Sequence, residues 1–168
     1  MKKIFALLLG VAAFMGVASA QNYMVVDSEK IFKSIKEYNN ALVQLDNLAQ
    51  SYQQQVDAKY QQIEALYNSY QQQKANLSAA TRAMRENEIL EKESETVKFQ
   101  ESIFGNEGTM MKKRIELIQP IQERVFKAIE SYAKENGFDL VLDIASNATM
   151  LYYSPEVNRT EAVIKLVK

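Results

Sequence analysis

The sequence predicts a mainly α protein with a small β body, in which a long antiparallel coiled-coil hairpin projects from a short-stranded, oligomerising β base. Three observations predict it. Apolar residues recur at alternating steps of four and three through most of the chain. Glycine and proline are almost absent from that tract, and short β-branched runs lie before and after it. A mean step of 3.5 residues keeps one narrow apolar seam facing a partner helix, which is the coiled-coil repeat. So thin a stripe gains little from burial on a solitary helix.

The chain opens with an export signal. Lys2 and Lys3 form a basic start, the run from Ile4 to Val17 is apolar, and Ala18, Ser19 and Ala20 fit a small-residue cleavage site. Residues 1–20 are therefore expected to be removed after Ala20, leaving residues 21–168 as a single mature unit in the periplasm. The alternative is a retained N-terminal anchor, although the apolar run is short against the ~20 residues that a membrane span needs. Within the mature unit, the β body is expected at 22–35 and 137–168. The helical arm is expected at 36–136, turning near 78–81.

Tyr23, Met24, Val25, Val26 and Asp27 read as a buried strand, after which Ser28 is a candidate helix cap. The first arm helix carries the series Tyr38, Leu42, Leu45, Ala49, Tyr52, Val56, Ile63, Leu66 and Tyr70, broken only at Lys59. A second series follows at the same spacing: Val97, Phe104, Met111, Ile115, Ile118, Val125, Ile129 and Tyr132. Ser78 or Thr81 is a suitable cap between them. No glycine or proline marks this turn, so one unbroken helix is the local alternative.

Gly105, Gly108 and Pro120 weaken the second helix and are hinge candidates; simple curvature of a long helix is the competing reading. Asn136 and Gly137 supply its C-terminal cap. Beyond it, residues 138–144 and 149–153 are two strand candidates joined by a hairpin turn at 145–148. Asn158 or Thr160 then caps a last helix with Val163, Ile164 and Val167 on its apolar side.

Val25, Val26, Leu140, Val141, Leu142, Leu151 and Tyr152 are apolar on consecutive residues, so both faces of a very small sheet seek cover. Self-association through these residues supplies it. The alternative is one sheet packed on the root of its own hairpin.

Composition excludes several functions. The chain has no histidine and no cysteine, so the usual general base, the commonest zinc ligands and disulfides are all missing. No phosphate-binding loop is present, and no enzyme activity or cofactor is expected. The net charge of −1 becomes more negative when Lys2 and Lys3 are removed, which argues against nucleic acid as a partner. The compact basic run Lys112, Lys113 and Arg114 is too short to anchor a membrane, so membrane association is at most weak.

The order of these features resembles the Skp/OmpH family of periplasmic chaperones. The resemblance is carried by the strand ending in Asp27, the helix end at Glu135, Asn136, Gly137 and Phe138, the run from Asp139 to Asp143, and Leu151, Tyr152 and Tyr153. It implies a homotrimer with three hairpin arms around a cavity that holds unfolded outer-membrane β-barrel proteins. It also implies that no ATP is hydrolysed. The family commonly reads Asp-apolar-Thr where this chain has Asn158, Arg159 and Thr160. The best-known members are strongly basic and this chain is acidic, so no lipopolysaccharide site is carried over.

Tyr60 and Tyr67 lie one heptad apart and off the seam, which makes them candidates for client contacts; the alternative is that they widen the seam. Met110 is a further candidate beside Met111. The functional expectation is an ATP-independent holdase that binds unfolded outer-membrane proteins between its arms. The alternative is a structural coiled-coil adaptor or spacer in the bacterial envelope.

Overall fold

The computed structural model describes residues 22–145 and 150–168. The export signal, most of the expected turn at 145–148, and Thr149 lie outside the described residues.

The described chain divides into two compact units. One comprises residues 22–34 with Val125–Lys168, and the other is Ile35–Arg124. The division falls ahead of Gly137, so the last turns of the second arm helix group with the β body.

In the first unit, β1 (Tyr23–Val26) leads directly into α1 (Ser28–Lys33). The cap is Asp27 rather than Ser28: its carboxylate accepts from the Lys30 N–H at 2.9 Å. Ser28 faces the sheet instead, donating its N–H and its hydroxyl to the two carboxylate oxygens of Asp143 at 3.1 and 2.6 Å. Asp143 ends β2 (Leu140–Asp143), which pairs parallel with β1 in the register Tyr23 to Leu140 through Val26 to Asp143.

The second strand candidate is corrected. Residues 150–153 form no strand, and the described sheet has two strands, not three. The other edge of β1 is already used: Val25 bridges Asn158, and its carbonyl accepts from the Arg159 N–H at 2.9 Å. A hairpin with 138–144 would use the outer edge of β2, and among the described residues that edge pairs with no other strand.

The last helix, α5 (Thr160–Val167), closes this unit over Met24, Val25 and Ile31, all with essentially no exposed surface, and buries its own Val163, Ile164 and Val167. Asn158 Oδ1 accepts from the Thr160 N–H at 2.9 Å, supplying the polar half of the cap. The Arg159 guanidinium lies 5.4 Å from the centre of the Phe138 ring. Its long stem and a cation–π contact cover that side of the ring.

The second unit is built on α2 (Lys36–Gln73), 38 residues and about 57 Å at 1.5 Å per residue. A 3₁₀ turn at Lys74–Asn76 reverses the chain, and α3 (Ala79–Phe104) returns alongside α2. Ser78 is the N-cap: its hydroxyl oxygen accepts from the Thr81 N–H at 3.1 Å. Ile63, Tyr70 and Ile89 form the buried cluster below the turn, with Leu66 and Leu77 against it.

A four-residue interruption follows, and α4 (Thr109–Glu135) then runs on through Pro120. Pro120 is exposed in the helix interior, and α4 is not broken there. It ends where Gly137 takes φ 69° and the Phe138 N–H returns to the Ala133 carbonyl at 2.9 Å. Glycine meets that left-handed conformation without steric cost.

Candidate functional site

The arm unit carries the features that point outward. On α2, Leu45, Val56, Ile63 and Tyr70 are buried as their spacing predicts, while Leu42 is exposed.

On α3 the spacing gave the wrong phase. Ile89, Thr96 and Ile103 are the buried residues, and Val97 and Phe104 are not on the seam. Thr96 keeps 3% of its surface and its neighbour Val97 keeps 54%. Leu90, Val97 and Phe104 therefore form an exposed apolar series at seven-residue intervals along α3. Met111 and Ile115, also assigned to the seam, are likewise exposed, whereas Ile118 and Val125 are buried as expected.

The physical reason lies in the interruption. Ile103 and Ile118 are separated by two heptads plus one residue, so residues 105–108 shift the seam by one position. A periodicity read straight through the glycines assigns α3 the phase of α4. The signal that separates them is the parallel series Ile89, Thr96 and Ile103, which repeats equally well.

Tyr60 and Tyr67 stand about half exposed on α2, at 43% and 49%. The Tyr60 hydroxyl donates to Gln100 Oε1 on α3 at 3.4 Å. Met110 is half-buried in an open cleft of about 420 Å³, lined by Leu42, Leu45, Ala49, Phe104 and Met111 with Asp46 and Arg114 among its polar residues. The three candidates are therefore not brought to one point. Tyr60 and Tyr67 belong to the shaft, and Met110 belongs to the cleft beside the interruption.

Several ion pairs lie along the surface of α3 and α4. Arg85 with Glu88, Lys92 with Glu95, and Lys113 with Glu116 form ion pairs at 3.1, 2.9 and 2.7 Å. The hydrogen bond and charge of Lys92 hold the Glu95 carboxyl below its ordinary pKa, and Glu95 raises the lysine in turn.

Residues expected to build the oligomer fall into two groups. Val25 and Val26 are inside the core of their own protomer, and Val141 and Leu142 are half-buried. Leu140 is exposed, and Leu151 and Tyr152 keep 95% and 84% of their surface. Gly105 and Gly108 bracket the interruption, and both are sterically required by it. A Cβ on Gly105 would lie 2.5 Å from the Glu101 carbonyl oxygen, and one on Gly108 would lie 2.5 Å from that of Ile103.

Among the described residues no helix is long and apolar enough to cross a membrane. No group of three or more acidic side chains among them is placed to hold a metal ion.

Comparison with known proteins agrees with this architecture. The chain is 27% identical over 165 residues to an uncharacterised protein of Aquifex aeolicus, covering 98% of this chain and 95% of the relative. It is 26% identical over 161 residues to the chaperone protein Skp of Yersinia enterocolitica, covering 95% and 93%. The family described as outer membrane protein (OmpH-like) matches residues 22–167. With the match spanning base and arm alike, the chain belongs to the Skp/OmpH family.

Proposed function

We propose that this protein is an ATP-independent periplasmic holdase that keeps outer-membrane β-barrel proteins unfolded and apart before insertion. The observation that carries the proposal is the exposed series Leu90, Val97 and Phe104 on an arm whose remaining surface is mostly Gln, Glu, Lys and Ser. Its chaperone relative and its family supply the kind of client. No catalytic step is involved, and export with cleavage after Ala20 places the mature chain beside such clients.

Magnitude decides how the arm works. Completing the burial of three half-exposed apolar side chains is worth on the order of 2–4 kcal/mol. That is too little for one arm to retain a client, because micromolar affinity needs about 8 kcal/mol. Several arms acting on one chain supply the difference through effective concentration. A homotrimer joined at its base meets this need, and Leu140, Leu151 and Tyr152 are the exposed apolar residues that would join it. Weak contacts of this kind also let the client leave without ATP.

The direct test is dilution of a denatured β-barrel protein from urea into buffer containing the mature chain and no nucleotide. Light scattering from aggregates should fall several-fold at a stoichiometric amount of trimer. The Leu90→Ser, Val97→Ser, Phe104→Ser triple variant should lose most of that protection while keeping its helix content. Undiminished aggregation with the unaltered chain in excess contradicts the proposal.

A further inference from the structure

The exposed series Leu90, Val97 and Phe104 is in heptad phase with Met111, Ile118 and Val125 of α4, of which Ile118 and Val125 are buried. The buried series Ile89, Thr96 and Ile103 is out of phase with them by one residue, and the interruption at 105–108 absorbs the difference. We infer that α3 has a second seating on α2, turned by one residue position, in which Leu90, Val97 and Phe104 replace Ile89, Thr96 and Ile103 and the interruption closes into continuous helix.

One residue is a turn of about 100° around a helix axis. The exchange therefore moves each exposed residue of the series into the place of its buried neighbour with a shift of only about 1.5 Å along α2. The occupant of the apolar stripe in the second seating is α2 of the same chain.

The two seatings are closely matched in chemistry. The present seam buries a polar residue at its middle position: the Thr96 hydroxyl turns back to the Lys92 carbonyl at 2.8 Å. Lys59 faces the same region with its ammonium 5.0 Å from the centre of the Phe99 ring. In the second seating the same three positions are all apolar. Opposing this, a continuous helix must hold Gly105 and Gly108 in its interior, where glycine is unfavourable. The interruption, in turn, tolerates only glycine at both places, since added Cβ atoms would lie 2.5 Å from carbonyl oxygens. These two glycines thus set the balance. The rotation would withdraw the stripe when no client is present and offer it otherwise. Only this last consequence rests on the holdase reading.

The chain has no cysteine, so a single introduced thiol reports its own protection. With the natural glycines, a Val97→Cys thiol should react readily and a Thr96→Cys thiol slowly. In a Gly105→Ala, Gly108→Ala background the order should reverse, each rate changing at least tenfold. Retention of the original order in that background, with helix content intact, overturns the inference.

A second arm covers the case in which that background does not fold. Leu90→Asp with Phe104→Asp alters only exposed residues of the described seating but penalises the second one. It should slow labelling of the Thr96→Cys thiol, which the second seating exposes, at least twofold, and an unchanged rate overturns the inference. Both readouts are taken without client, so they stand or fall separately from holdase activity.

Discussion

The backbone N–H of Asp27 donates to the Thr160 hydroxyl at 2.9 Å, tying the end of β1 to the first turn of the last helix. Thr160 keeps only 3% of its surface, so no water replaces the bond once it is lost. Thr160→Val should therefore destabilise the β body by about 1–3 kcal/mol, the usual cost of an orphaned buried donor. Chemical denaturation followed by circular dichroism measures it. The loss should be absent from a readout confined to the arm.

At the far end of the arm, the Ser78 side chain caps α3. Ser78→Ala should cost about 1 kcal/mol. Hydrogen exchange of the amides of residues 79–82 should accelerate, with little change near Ile103.

Thr96 is the buried polar position in the α3 seam, and its hydroxyl bonds only within its own helix. Thr96→Val conserves shape and removes that polar group. It should stabilise the arm by up to about 1 kcal/mol. A rise in the denaturation midpoint with an unchanged slope is the expected result. The same change should also favour the described seating of α3 over the second one.

Alkaline pH should weaken the arm beneath its turn. The Tyr70 hydroxyl donates to the Glu86 carboxylate, and that bond together with burial raises its pKa above the usual 10.0. Because the folded value is the higher one, the stabilisation is complete below pH 10 and disappears as pH rises through the raised value. Tyr70→Phe should remove this part of the alkaline slope, measured as stability against pH in paired denaturation curves.

The acid side behaves in the opposite sense. Lys30 and Glu161 pair at 2.6 Å between α1 and α5, and the lysine holds the Glu161 carboxyl below its usual 4.5. Its small contribution is present above pH 4.5 and is lost as pH falls through the depressed value. Glu161→Gln should flatten that acid slope without changing stability at neutral pH by a large amount.

Much of the fold was legible because it is written in spacing. The seam of α2 could be read from Leu45 to Tyr70, since a helix without internal glycine or proline keeps one phase throughout. The cap at Gly137 was legible because φ 69° demands glycine. The phase of α3 was not, because Thr96 and Val97 are near-isosteric neighbours and the phase change lies eight residues beyond them. Periodicity carries no information about the length of a non-helical interruption. The expected hairpin of 138–144 with 149–153 failed for a different reason. A β-branched or aromatic run states that a strand is feasible but not what it pairs with, and the run at 140–143 pairs in parallel with β1 rather than with 149–153.

The candidate site was legible only in kind. Spacing singles out Tyr60 and Tyr67 on a polar arm, but it omits Leu90 and assigns Val97 and Phe104 to the seam, where the structure leaves them exposed. Which of two adjacent apolar positions faces water depends on packing against α2, and composition does not encode it.

The most direct measurement is the mass in solution of the purified mature protein, alone and with an unfolded outer-membrane β-barrel protein, by size-exclusion chromatography with light scattering and without nucleotide. A trimer that gains the mass of one client chain is the expected result. A monomer that gains no mass would contradict the central claim.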